Sequence, residues 1–145
     1  MNVDIVVSLN SFGELELSQP KLAIDGTGQV KISWWLVGDL LNGAFLPIGP
    51  PYSGFEWINP LPDPGNFSDP EIGALGKRLS INDFLKDRGK EWAYVVRIFH
   101  KGKFYESVLS DAGGGAICVA STSTFELIGP NGQNRTGRHP VIINK

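Results

Sequence analysis

The sequence contains few of the residues that build metal sites and disulfides. Among its 145 residues it has one cysteine, Cys118, one methionine, Met1, and two histidines, His100 and His139. A lone cysteine forms no intramolecular disulfide, which favours a reducing compartment. Structural zinc needs four Cys or His ligands, and type 1 copper needs two histidines and a thiolate converging from strand ends and one short loop. Neither pattern is present, so we expect no metal and no cofactor.

Basic residues are neither abundant nor clustered. Thirteen Lys and Arg against 15 Asp and Glu give a formal net charge of -2. A nucleic-acid-binding surface needs concentrated positive charge, because phosphate neutralisation supplies much of the affinity. No apolar run reaches the length of a membrane span, and Asp4 interrupts the early apolar run, so no signal peptide is predicted. We expect a soluble cytoplasmic protein with no nucleic-acid partner and no membrane partner.

Alternation of apolar and polar residues is the main pattern that is present. It extends from Val3 to Leu9, from Val30 to Leu36 and from Trp92 to Ile98. Residues that alternate in this way lie on opposite faces of a β-strand, so each segment predicts a strand with one buried face. Glycine-containing turn sequences separate the segments. The pattern therefore predicts many short strands joined by turns.

Residues 79–89 give the one helical prediction. Ser80 is a suitable N-cap, Asp83 stands three residues later as a capping-box partner, and Gly89 is a suitable terminator. Together with the strands, this predicts an all-β, mostly antiparallel β-sandwich with one short helix, in a single domain spanning 1–145. A long Pro-rich loop at about 40–76 is predicted to be ordered, because apolar residues such as Phe55, Trp57 and Phe67 would anchor it to the sheet.

The segment 79–107 resembles the corner of an immunoglobulin-like or cupredoxin-like sandwich. There an acidic residue, a glycine and an aromatic residue precede the most buried strand, and here these would be Asp87, Gly89 and Trp92 or Tyr94. The resemblance implies a fold and carries no activity.

A second resemblance is to small bacterial proteins of unknown function named for a DP-EP motif. It rests on the hairpin sequence GKFYES, from Gly102 to Ser107, and on the ending from His139 to Lys145. His139 stands where the family has Asp, and the closing Glu-Pro is missing. This resemblance implies a bacterial-type sandwich protein and brings no known activity.

Evidence for a catalytic nucleophile is slight. No Gly-x-Ser-x-Gly motif is present. Ser80 is assigned to a helix cap, and His100 is expected to be exposed at a hairpin tip. Cys118 lies in the apolar run AICVA, where a buried thiol is expected. The glycines of residues 111–116 precede a strand, which favours a loop over a phosphate site. No catalytic residue is named, and a small hydrolase using Cys118 or a serine remains an alternative.

The adjacent tryptophans, Trp34 and Trp35, indicate which apolar residues lie on the outer surface. Trp34 continues the inward row of its strand, so Trp35 must point outward. Phe99 and Val95 oppose the inward row of a later strand in the same way. If the two strands align, the outer face carries an apolar patch. The patch would serve as a homodimer interface or a carbohydrate platform, or would be covered by the 40–76 loop.

The acidic residues of the Pro-rich loop raise the question of a cation site. Glu56, Asp63, Asp69 and Glu71 supply oxygen ligands but do not follow the order of an EF-hand. Asp-Pro pairs commonly begin turns, which favours a polar connection, and cation binding remains open. The candidate ligand-binding or interface residues are Trp35, Tyr52, Trp57, Asp63, Asp69 and Glu71. We expect a non-catalytic binding or self-association module, with a carbohydrate-binding module as the alternative.

Overall fold

The computed structural model describes residues 1–11, 13–58, 60–107 and 139–145. Eleven β-strands and two 3₁₀ turns lie within these ranges. The strands are β1 (Asn2–Leu9), β2 (Leu15–Leu17), β3 (Lys21–Ile24), β4 (Val30–Leu36), β5 (Ala44–Phe45), β6 (Phe55–Trp57), β7 (Glu71–Gly73), β8 (Arg78–Asp83), β9 (Glu91–His100), β10 (Lys103–Glu106) and β11 (Val141–Asn144). The first 3₁₀ turn is Gly38–Asn42, and the second is Ala74–Gly76.

The strands form two sheets. Sheet 1 has the order β2-β1-β4-β8-β7, with a parallel β1–β4 pair and antiparallel pairs elsewhere. Sheet 2 is built on β9, which pairs antiparallel with β5, β6, β10 and β11, while β11 pairs parallel with β3. The prediction of an all-β fold with mostly antiparallel strands is confirmed.

The core lies between the inner faces of the two sheets. Trp34 on β4 is fully buried, as the alternation predicts, and its indole N–H donates to the Tyr94 hydroxyl on β9 at 3.1 Å. The two rings are 5.2 Å apart in an edge-on arrangement, which is favourable for aromatic pairs. Inward residues of both sheets complete this cluster, among them Ile5, Val7, Ile32, Leu79, Ile81, Val96, Ile98 and Ile142.

The prediction of a short helix at residues 79–89 is wrong. Arg78–Asp83 forms β8, which pairs with β4 so that Leu79 lies opposite Trp34. Leu79, Ile81 and Asp83 are buried in alternation with less buried neighbours, which is a strand pattern. Asp83 accepts a hydrogen bond from the Leu85 N–H at 2.8 Å, so its carboxylate stabilises the turn after the strand. Asp83 therefore stabilises a turn and is not part of a helix cap.

The segment 40–76 contains three short strands, β5, β6 and β7, between its turns. Phe55 on β6 belongs to the core, and Trp57 and Phe67 pack against it. The Trp57 ring lies 4.9 Å from that of Phe55 and 4.6 Å from that of Phe67. These aromatic contacts connect the segment to both sheets, because Phe67 also forms a β-bridge with Asp83.

A candidate ligand-binding groove

A tight loop precedes β6. The Gly54 N–H donates to the Pro47 carbonyl at 3.1 Å, and the Gly49 N–H donates to the Ser53 hydroxyl at 3.1 Å. Gly54 passes so close to Leu46 that a Cβ atom at this position would collide with the Leu46 carbonyl oxygen. Glycine is needed here because the two backbone segments approach each other directly.

The loop and Pro70 enclose a groove of about 360 Å³. Its walls are mainly apolar, formed by Ile48, Pro50, Pro51, Phe55, Trp57 and Pro70, with Ser53 and Glu56 as polar groups. A concave, largely apolar site with a few polar groups is typical of small-molecule sites, whose volumes run from roughly 300 to 1,000 Å³. The groove lies at the lower end of that range.

Arg97 on β9 ties the loop to the outer face of sheet 2. The residue is only 8% exposed, and its Nη1 donates to the Ser53 carbonyl at 3.1 Å and to Glu56 Oε2 at 2.7 Å. Its Nε lies 3.6 Å from Glu106 Oε2, and its Cζ lies 5.8 Å from the centre of the Tyr52 ring. Two carboxylates therefore compensate the burial of this guanidinium, and the same contacts hold the loop.

His139 lies beside this arginine and is half-buried. Burial lowers the pKa of His139, because desolvation disfavours the imidazolium form. The Glu106 carboxylate opposes this effect, and the Arg97 guanidinium adds to it. The His139 Nδ1 has no hydrogen-bond partner within the described residues. Around Arg97, the outer face of sheet 2 thus brings together the guanidinium, the carboxylates of Glu56 and Glu106, and an imidazole whose neutral form is favoured.

The structure separates the six residues predicted as a site. Trp57 lines the groove. Along the chain, Tyr52 lies between the lining residues Pro51 and Ser53, and Asp69 and Glu71 flank the lining residue Pro70. Asp63 lies elsewhere and borders a different pocket with Lys90 and Trp92. Four of the six candidates are therefore in or next to the groove along the chain, and two are not.

Trp35 lies on the outer face of sheet 1. Its indole N–H donates to Asp4 Oδ1 at 3.0 Å, and the Arg78 Cζ lies 5.6 Å from the centre of its ring. Because β4 and β9 belong to different sheets, Trp35 and Phe99 lie on different outer faces. The idea that both strands contribute to one apolar patch is therefore wrong, since the sequence alone did not give the sheet to which each strand belongs.

Two further expectations about reactive side chains need correction. His100 is 3% exposed, because β9 extends to this residue and the turn begins only at Lys101. Ser80 is buried within β8 and caps no helix. Cys118, the glycines of residues 111–116 and the strand predicted after them lie outside the described residues. Within the described ranges, no three His, Cys, Asp or Glu side chains are grouped to hold a metal ion.

Arg97 is the site residue that sequence reasoning missed. The available signal is a charged residue in the outward row of the apolar strand EWAYVVRIF. A buried arginine needs carboxylate partners. Glu106 is the cross-strand partner of Arg97 in the β9–β10 hairpin, whereas Glu56 lies on β6 and is distant in sequence.

Compared with protein-family models and with curated proteins, the chain gives no match. In the part of the chain that the structure describes, no helix is both long and apolar enough to cross a bilayer. A functional proposal must therefore rest on the geometry of the groove.

Proposed function

We propose that this protein is a non-catalytic binding module whose ligand site is the groove beside Trp57. The observation that supports this most is the preformed concave surface, closed by Gly54 and held by the buried Arg97. A preorganised site binds more tightly because less ordering is needed on association. Ser53 and Glu56 are the hydroxyl and the carboxylate among the described residues that line the groove, and both take part in contacts that hold the loop, with the Gly49 N–H and with Arg97.

The ligand that we propose is a carbohydrate. A sugar ring has an apolar C–H face and a hydroxyl edge, and the groove offers both kinds of partner. Trp57 and the neighbouring prolines supply flat apolar surface, while Ser53 and Glu56 supply polar groups. The Glu56 side chain is half-exposed, and a carboxylate accepts about four hydrogen bonds, so it has capacity beyond its contact with Arg97.

We infer an immunoglobulin-like or cupredoxin-like sandwich of bacterial type, related to the DP-EP-motif proteins and working in the cytoplasm. The packing of Trp34 against Tyr94 across the sheets supports the sandwich type. The Gly102–Ser107 hairpin supports the relationship, because the Ser107 hydroxyl accepts a hydrogen bond from the Val96 N–H at 2.8 Å and so has a structural role.

A glycan array with the wild-type protein and two variants tests the proposal. Ile48 lines the groove and is 42% exposed, so Ile48→Asp places a charge against the sugar face without disturbing the core. Leu61 is 61% exposed and borders another pocket, so Leu61→Asp is the matched control. We expect Ile48→Asp to weaken binding at least about tenfold and Leu61→Asp to leave it unchanged.

Two results would contradict carbohydrate binding in the groove. One is a wild-type protein that retains no glycan, and the other is an Ile48→Asp variant that binds as the wild type does. Light scattering on the wild type and on Trp35→Ala separates this proposal from self-association. If Trp35 lies in a dimer interface on sheet 1, the Trp35→Ala variant will have a lower solution mass than the wild type. A thiol-reactivity assay on native protein tests the hydrolase alternative through Cys118.

A further inference from the structure

The second 3₁₀ turn presents one apolar side chain entirely to solvent. Ala74, Leu75 and Gly76 have successive φ values of 52°, 57° and 88°, and Leu75 is 96% exposed. Residues other than glycine avoid this left-handed region, because Cβ approaches the following carbonyl oxygen. Strained backbone on a protein surface is concentrated at functional positions. Leu75 is therefore displayed at a conformational cost and without a packing benefit.

Other exposed apolar residues lie at the same end of the sandwich. A Cβ atom on Gly76 would lie 2.8 Å from the Ala44 Cβ, and Ala44 pairs with Phe99 at the end of β9. Phe99 is 42% exposed, and its ring lies 5.0 Å from that of Phe104. Leu41 in the first 3₁₀ turn is 54% exposed, and this turn ends at Gly43, next to the Phe99 carbonyl. The two turns and the β9–β10 hairpin thus meet at one end.

The charges at this end are mainly basic, although the whole chain has a formal net charge of -2. Lys101 and Lys103 flank the hairpin tip and are exposed. Lys77 donates to the Gly43 carbonyl, and Asp39 is the acidic residue of the first 3₁₀ turn. Such an arrangement is complementary to a surface with an anionic outer layer and an apolar interior: the lysines would contact the anionic layer, and the apolar side chains would enter the interior.

We propose that this end of the sandwich, defined by Leu41, Leu75, Phe99, Lys101 and Lys103, docks on an anionic lipid bilayer. Leu41 and Leu75 lie on separate 3₁₀ turns and Phe99 lies near the end of β9, so the three side chains project from different elements. A fluid bilayer accommodates such separate projections without a complementary shape, and its anionic headgroups attract nearby lysines. The sequence predicted no membrane partner because no apolar run reaches the length of a membrane span, and that criterion does not detect apolar residues dispersed along the chain. This inference is independent of the carbohydrate groove.

Co-sedimentation with lipid vesicles tests this proposal. The full chain is mixed with vesicles of phosphatidylcholine alone or with phosphatidylserine added, at low and at raised salt. Leu75→Gly removes the side chain and suits the positive φ, so the turn keeps its shape. Leu61→Gly, at an exposed position bordering a different pocket, is the matched control. Lys103→Glu reverses one of the lysine charges.

We expect the wild type to sediment with phosphatidylserine vesicles and to be released by salt. Leu75→Gly should reduce partitioning at least about tenfold, Lys103→Glu should weaken it, and Leu61→Gly should have no effect. The proposal is overturned if the wild type stays in the supernatant with both kinds of vesicle. It is also overturned if Leu75→Gly sediments as well as the wild type does.

Discussion

The two outer sheet faces each place an arginine against an aromatic ring, yet the arginine on sheet 2 is the one bonded to the loop that encloses the groove beside Trp57. Arg97 lies 5.8 Å from the Tyr52 ring, and Arg78 lies 5.6 Å from the Trp35 ring. Arg97 also binds Glu56 and the Ser53 carbonyl, which fixes a loop above the sheet. Arg78 instead lies over Gly73, and its buried Nε has no hydrogen-bond partner within the described residues.

The difference shows what makes a sheet face into a site. A cation–π contact contributes about 0.5–1 kcal/mol at an exposed position and about 2 kcal/mol when desolvated, and both faces have one. Charge-assisted hydrogen bonds to a carboxylate and a loop carbonyl are found at Arg97 and give the loop a fixed geometry. The close approach at Gly54 then closes the loop. The groove therefore depends on how its loop is tied to the sheet, and the aromatic contact alone is insufficient.

The largest expected effect comes from Gly54, and Gly73 is the matched comparison. In Gly54→Ala the new Cβ meets the Leu46 carbonyl oxygen, which is backbone, so the groove loop must shift. We expect a loss of about 2–4 kcal/mol in the free energy of unfolding. In Gly73→Ala the Cβ meets the Arg78 Nη2, the end of a flexible side chain, and we expect a loss below about 1 kcal/mol.

Urea denaturation of the two alanine variants gives this comparison directly. Equal losses would mean that the approach of Gly54 to Leu46 does not close the loop.

The next effect distinguishes the two arginines. Arg97→Met leaves Glu56 and Glu106 without their cation, and we expect a loss of about 2–3 kcal/mol together with loss of groove binding. This is less than for a fully buried pair, because Glu56 is half-exposed. Arg78→Met removes a buried Nε without a partner and should change stability by no more than about 1 kcal/mol. The measurement is urea denaturation of both variants. Similar losses of unfolding free energy in Arg97→Met and Arg78→Met would contradict the claim that Arg97 alone of the two holds a loop on its sheet face.

The smallest effect is a pH dependence that arises from His139 at the Arg97 face. Because burial lowers the pKa of His139, the unfolded chain binds a proton more tightly than the folded chain does. Above the ordinary histidine pKa of about 6.5, His139 is neutral in both states and the folded protein has its full stability. As the pH falls below that value, the unfolded chain takes up the proton first and the free energy of unfolding decreases. His139 is half-buried, so the loss should stay under about 1 kcal/mol. His139→Gln should remove this dependence and Arg78→Met should retain it, measured as urea midpoints between pH 5 and 8. An unchanged profile in His139→Gln would contradict the assignment.

Much of the fold was predictable from residue alternation. The alternation in β1, β4 and β9 correctly predicted that these segments are strands and which of their side chains point into the core. It also correctly assigned Trp34 to the core and Trp35 to the outer face. The helix prediction failed at β8 because a Ser, an Asp and a Gly fit both a cap and a strand with turns. Hydrogen bonding to β4 makes this segment a strand and not a helix. The local sequence does not show which strands will pair, so this outcome was not predictable from residues 79–89 alone.

Less of the site was predictable. Trp57 and Tyr52 were chosen as aromatic residues in a Pro-rich segment, and they do lie in or beside the groove. Arg97 was missed because its contacts with the groove loop, to Glu56 and the Ser53 carbonyl, come from residues distant in sequence, although Glu106 is its neighbour in the β9–β10 hairpin. Asp63 was grouped with Asp69 by proximity in sequence, although the folded chain places Asp63 at another pocket. Long-range pairing decided each of these outcomes.

The most direct measurement uses the chain's four tryptophans as reporters. Trp34 and Trp92 are buried, Trp57 lines the groove, and Trp35 lies on sheet 1. The indole N–H signals of ¹⁵N-labelled protein are followed by NMR during titration with a sugar retained on the array, and Trp35→Phe assigns one signal. We predict that the Trp57 signal shifts and the Trp35 signal does not. A shift of Trp35 with Trp57 unchanged would place the ligand on sheet 1 and contradict the account of the groove.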